Sequence, residues 1–230
     1  MFVPVWDTNT LRHLPFQYVT AGLVAANVLV YVLFTSGAVI NASDQVYYSF
    51  GVIPAVMNDY RELPAGYALV PENLTLVTYQ FVHGGLFHLL GNMAFLWVFG
   101  DNVEDALGHW RFLAFYLLCG IGAAFAEDFF DPTSEIPLVG ASGAVAGVVA
   151  AYLMLHPRVK VWVLVLWRLP LRLRAYWLLG FWIAMQVVMA LDAAEGDGVA
   201  WWAHIGGLIT GAVLVVFMRR RGVPLFDRGL

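Results

Sequence analysis

Charge is scarce in this chain. Only 12% of its 230 residues are charged, roughly half the share found in a soluble domain. With 61% hydrophobic residues and a mean hydropathy of +0.74, that scarcity excludes an ordinary water-soluble protein and indicates a polytopic one, most of it a single compact helical bundle. Cysteine is nearly absent: Cys119 stands alone inside an apolar segment, so no intrachain disulfide can form. His-Glu-x-x-His is missing, and no carboxylate or third ligand has metal-ligand spacing, so neither a metal nor any other cofactor is expected. The aspartates fall in loops rather than in pairs inside apolar runs, which excludes an aspartate-dyad site. No inverted repeat or broken helix is evident, which weighs against a small-solute transporter. The first sixteen residues carry Asp7, Arg12, His13 and two prolines before any long apolar run, unlike a cleavable signal.

What the chain does have is six runs long and apolar enough to span a bilayer. They are Tyr18 to Ile40, Thr78 to Gly100, Trp110 to Phe125, Gly140 to His156, Ala175 to Leu191 and Val199 to Met218. The expected organisation is an all-α membrane protein: a segment 1–17, a six-helix bundle 18–218 with a long loop 41–77, and a basic tail 219–230. Basic residues select one side. Arg12, Arg111, the group Arg158, Lys160, Arg168, Arg172 and Arg174, and the tail Arg219, Arg220, Arg221 and Arg228 share it, leaving Arg61 as the exception. The alternate loops are acidic: Asp44, Asp59, Glu62 and Glu72, then Asp128, Asp131 and Glu135, then Asp192, Glu195 and Asp197. The positive-inside rule then puts both termini in the cytoplasm.

Two stretches outside the spans carry their own expectations. The loop 41–77 is rich in Tyr48, Phe50, Val52, Ile53 and Val56 and is expected to lie in the membrane interface. Asn41-Ala42-Ser43 and Asn73-Leu74-Thr75 match the glycosylation pattern, a weak signal. Val159 to Leu166 is too short to cross and reads as an interfacial segment or loop.

The stretch Gly140-Ala141-Ser142-Gly143-Ala144-Val145-Ala146-Gly147 admits two readings. Small residues four apart, Gly143 and Gly147, suit close helix packing, and serine is common in such seams. Alternatively, Ser142 at a helix start is a nucleophile beside free backbone N–H groups. Gly207 and Gly211 form a second small face, which packed on Gly143 and Gly147 would bring His204 to Ser142. Span 4 covers only about 25 Å, so its Ser142 end should be recessed and reachable by water from outside. His88 and Asn92 lie on one face, four residues apart, and are either glue between helices or donors aimed at one oxygen.

Gly140-Ala141-Ser142-Gly143, Ala203-His204-Ile205-Gly206-Gly207, His88-x-x-x-Asn92 and Gly100-Asp101-Asn102-Val103-Glu104-Asp105 together resemble the rhomboid family of intramembrane serine proteases, from about Tyr48 to Gly211. The resemblance implies a Ser-His dyad, with Ser142 as nucleophile and His204 as general base. It implies an oxyanion site of His88, Asn92 and the N–H groups of Ser142 and Gly143. His83 resembles a structural position of the family, and Glu104 reads as a loop-capping residue. Substrates would be single-span membrane proteins; lipids are the other expected partner, with no nucleic acid and no metal. A bacterial plasma membrane is the expected location, with the site opening outward. The chain departs from the family at Ala146, where many members carry an aromatic that stacks on the histidine. Trp201 and Trp202 are candidates to orient His204 instead, or equally interfacial anchors, the commoner role. The non-enzyme alternative is a catalytically silent relative that binds membrane clients, although this chain keeps both Ser142 and His204.

Overall fold

The computed structural model describes residues 2–38, 43–166, 168–192 and 199–227. Strand β1 (Phe2–Asp7) leads to α1 (Tyr18–Val30), whose end widens into a π-helical turn through Thr35. Short helices α2 (Ser43–Phe50), α3 (Pro54–Met57) and α4 (Glu72–Thr78) follow. Then come α5 (Leu86–Leu107), α6 (His109–Phe130), α7 (Ser142–Leu155), strands β2 (Lys160–Val165) and β3 (Leu169–Arg174), α8 (Ala175–Asp192) and α9 (Trp201–Met218).

Helix α7 is the hub. It is apolar all round and mostly small, so neighbours can close on it from every side. Every residue from Gly143 to Tyr152 is buried, and α5, α6, α8 and α9 pack around it. The aromatics of α5 and α6, including Phe99, Phe112, Phe115 and Tyr116, fill the remaining core.

The spans differ from the six continuous ones expected. Among the described residues, four helices are long and apolar enough to cross a membrane: Tyr18–Thr35, His109–Phe130, Ala175–Asp192 and Trp201–Met218. A fifth unit is broken, with Glu72–Phe81 and Leu86–Leu107 meeting at 83°. The break falls at Val82-His83-Gly84-Gly85, where two glycines release the helix; α5 therefore starts eight residues later than the expected Thr78. At fourteen residues α7 is shorter than a span, only about 21 Å at the helical rise.

The all-α expectation also needs correcting, because β1, β2 and β3 form an antiparallel sheet in that order. Val159 to Leu166 is thus largely strand β2 rather than an interfacial segment, with Val161 and Val163 buried against the bundle. Residues 2–17 are stitched into the fold rather than appended to it, since Phe2 to Asp7 pair with Val165 to Val161. Their continuation is held by two buried acids at the end of α5. Asp105 accepts the N–H groups of Arg12, His13 and Leu14. Glu104 accepts those of Val19 and Thr20, the Thr20 hydroxyl, and a hydrogen bond from His109. A fully buried carboxylate is tolerable only when so completely bonded. The tail closes onto the same end, where Arg220 N–H bonds Ala106 O and Phe226 N–H bonds Met154 O.

The loop before α5 is packed into the protein more than expected. Val52 and Ile53 are buried, and Val52 exchanges backbone hydrogen bonds with Leu138 at 3.1 and 2.7 Å, so this apolarity serves protein contacts rather than lipid. Residues 41 and 42 of the first glycosylation pattern, together with Glu195, Asp197 and Arg228 of the charge pattern, lie outside the described residues.

Candidate active site

The approach to Ser142 is built on a glycine. Gly140 has φ +120°, and a Cβ there would stand 2.5 Å from His88 Cε1 and 2.7 Å from Nε2. Only glycine accepts both the conformation and the ring beside it. Its N–H donates to Tyr79 O at 3.0 Å, after which the chain turns directly into α7. Ser142 is the first residue of that helix, so the N–H groups of Ser142, Gly143 and Ala144 have no acceptor within the helix.

Three side chains from the broken span surround this turn. His83 is fully buried and accepts the Ala141 N–H at 3.4 Å. Its Nε2 lies 3.0 Å from Asn92 Nδ2, and His88 meets its ring edge to face at 5.1 Å. An amide nitrogen carries two hydrogens, so Asn92 held by His83 keeps a second one to donate. Asn92 is buried, Ser142 is half-buried and His88 is exposed.

His204 comes from α9, across a seam with almost no side chains in it. A Cβ on Gly207 would run into the Gly143 carbonyl, and one on Gly211 into the Gly147 carbonyl. A Cβ on Gly143 would lie 3.6 Å from Ala203 O. Helices α7 and α9 are therefore in direct backbone contact where Gly207 meets Gly143 and Gly211 meets Gly147, with Ala203 close to Gly143, as small-residue membrane seams permit. No hydrogen bond joins the two side chains among the described residues, a separation common in sites without substrate.

Four residues surround the His204 side. Ala146 is buried and packs with Ala150 and Leu208, with Trp182 against them. Trp182 of α8 lies 6.4 Å from the His204 ring, and Trp201 meets it edge-on at 5.8 Å. Trp202 does neither, stacking on Phe130 of α6 at 3.7 Å. Gln186 makes the polar contact, its Oε1 lying 2.8 Å from His204 Nδ1. Glu127 of α6 accepts the Ala203 N–H at 2.8 Å, so a carboxylate caps α9 one residue from His204. Neither Gln186 nor Glu127 was singled out from the sequence. The usable signal for Gln186 was one uncharged polar residue in an otherwise apolar helix, four positions from Trp182.

The arrangement joins a hydroxyl at a helix N-terminus, amide donors beside it and an imidazole with one nitrogen already engaged. Among known proteins, the chain is 31% identical over 143 residues to RHOMBOID-like protein 6, mitochondrial, of Arabidopsis thaliana, covering 62% of this chain and 43% of that protein. It is 30% identical over 167 residues to Rhomboid-like protein 11, chloroplastic, of the same plant, covering 68% and 54%. It is 28% identical over 153 residues to Rhomboid protein 1, mitochondrial, of Saccharomyces cerevisiae, covering 63% and 41%. The chain thus spans about half or less of the length of these relatives. Their names place them in organelles and lend no support to a bacterial plasma membrane. The rhomboid domain model matches residues 71–221, a stretch that holds His83, His88, Asn92, Ser142, Gln186 and His204 together. By that match this membrane protein belongs to the rhomboid family.

Proposed function

We propose that the chain is an intramembrane serine endopeptidase working through Ser142 and His204. The observation that carries this reading is the glycine seam, which sets the start of α7 against the residue preceding His204. In the reaction, His204 Nε2 takes the Ser142 proton as Oγ bonds to the scissile carbonyl carbon. The carbonyl electron pair moves onto oxygen, which receives the N–H groups of Ser142 and Gly143, the free hydrogen of Asn92 and a donor from His88. Collapse breaks the C–N bond, and the leaving amine takes the proton from His204. Water then attacks the ester by the same route, freeing Ser142.

Substrates are single-span proteins cut near the outer end, with the basic end of the bundle in the cytoplasm. A membrane helix hides its carbonyls in hydrogen bonds to the fourth residue on, so it must unwind before attack, leaving groups that cost several kcal/mol each in lipid. With its basic end at the cytoplasmic surface, a helix as short as α7 would leave Ser142 below the opposite surface, where water can serve them. Gly or Pro near the cut lowers the cost, and the narrow approach past Gly140 favours a small residue at the cut.

The test is cleavage of a model single-span substrate together with labelling by a fluorophosphonate. Ser142→Ala and His204→Ala should each abolish both, and the double variant should be no worse than either. Substantial turnover by Ser142→Ala refutes the dyad.

A further inference from the structure

We infer that Gln186 is a positioning residue for the base: its side-chain oxygen holds His204 in the tautomer that leaves Nε2 free to take the Ser142 proton. The inference rests on the proteolytic reading of the site. Its geometry is complete within α8 and α9. Gln186 Nε2 donates to the Trp182 carbonyl at 3.4 Å, which fixes the amide with Oε1 toward His204 at 2.8 Å. A carbonyl oxygen can only accept, so Nδ1 must carry the hydrogen. A neutral imidazole has one such hydrogen, and Nε2 keeps its lone pair.

Burial strengthens the assignment. Gln186 is 2% exposed in an otherwise apolar stretch of α8, Phe181 to Leu191. An amide there is costly unless both ends are bonded, and among the described residues His204 and Trp182 bond its two ends. Trp182 lies one turn back on the same helix face, near the ring that Gln186 holds. Where Ala146 leaves the α7 side without an aromatic, α8 supplies both a wall and a hydrogen bond. Because the amide is neutral, Gln186 orients the ring without stabilising imidazolium by charge, as a carboxylate would.

The test combines kinetics with imidazole-nitrogen NMR on the full chain in detergent. Gln186→Met should keep KM and lower kcat by about 10²-fold, the lower end of what a positioned general base contributes. Gln186→Glu retains the acceptor, so turnover should return, with the acid limb of the pH profile moved up by about one unit. The other titratable groups facing His204 are His88 of α5 and Glu127 of α6, and both stay unchanged. Nitrogen NMR is run on Ser142→Ala protein, so it needs no activity. There, Gln186 should give the Nδ1–H tautomer alone and Gln186→Met a mixture. An unchanged tautomer with unchanged kcat, or a change confined to KM, overturns the inference. Should Gln186→Met fail to fold, an unshifted acid limb in Gln186→Glu overturns it equally. If Ser142→Ala still cleaves substrate, the dyad reading fails, while the tautomer result still decides what Gln186 does.

Discussion

Adding one methyl group at Gly207 should separate the reacting pair. A Cβ there would stand 2.8 Å from the Gly143 carbonyl carbon, against about 3.5–4.0 Å for a relaxed carbon–carbon contact. The clash is with backbone on both sides, so no side chain can swing away, and α9 must move off α7 by about 1 Å. Overpacking of this kind costs about 1–3 kcal/mol, and the better helix propensity of alanine returns at most about 1 kcal/mol. A net loss of about 2 kcal/mol, toward the upper end, should lower the unfolding midpoint by about 4–8 °C. Activity should suffer more, since a misplacement of about 1 Å in a reacting geometry can cost about 10²-fold. The control is Gly180→Ala in α8, where nothing lies within 4 Å of the added carbon. Both variants are assayed for substrate cleavage and thermal unfolding in one detergent. Cleavage by Gly207→Ala at the wild-type rate, or an equal loss in Gly180→Ala, refutes the idea that this seam sets the distance between Ser142 and His204.

Other expectations follow from different parts of the molecule. Asn92→Ala should lower kcat by about 10²–10³-fold while the unfolding midpoint holds; an unfolded variant with full residual specific activity would show Asn92 to be structural glue. Asp7, outside the spans, has its carboxyl pushed up to about 6 by burial, partly offset by hydrogen bonds from the Tyr152 hydroxyl and the Asn9 N–H. A carboxyl raised in the folded state adds stability below its ordinary value of 3.8 that is lost as pH rises through about 6. Melting curves should therefore show stability falling across that window, and Asp7→Asn should flatten this part of the profile; an unaltered profile refutes the burial argument. In a background lacking Cys119, Glu135→Cys should react with an impermeant thiol reagent from the external side, and Arg168→Cys only after permeabilisation. The reverse pattern would invert the topology.

The candidate site was more legible in the sequence than the architecture was. Ser142, His204 and the paired glycines stand out because a serine among small residues, a histidine in an apolar run and small-residue spacing are local patterns. Strand β2 was not legible, because it lies between Leu169–Arg174, next along the chain, and Phe2–Asp7 at its start, and an apolar run carries no record of what it pairs with. The break before α5 was concealed by hydropathy, since Val82 and Leu86 continue the apolar average across Gly84-Gly85. Gln186 escaped notice because its meaning depends on which way α8 faces, and only packing decides that.

The fastening of one end of α8 has a mechanical consequence. Helix α8 follows strand β3 without a linker, and the Ala175 and Tyr176 N–H groups bond Val159 O and Pro157 O, so its inner end is clamped to the sheet. Toward its other end α8 presents Val187, Val188, Met189 and Leu191 outward. A rigid helix held this way would swing as a lever hinged at Ala175. Gln186 rides about 16 Å along the arm, where a swing of roughly 10° would carry it about 3 Å, as far as the length of its bond to His204. The lever and the base would then be geared together: whatever pushed α8 aside would also let go of the imidazole, and the ring would be held again only when the arm swung back.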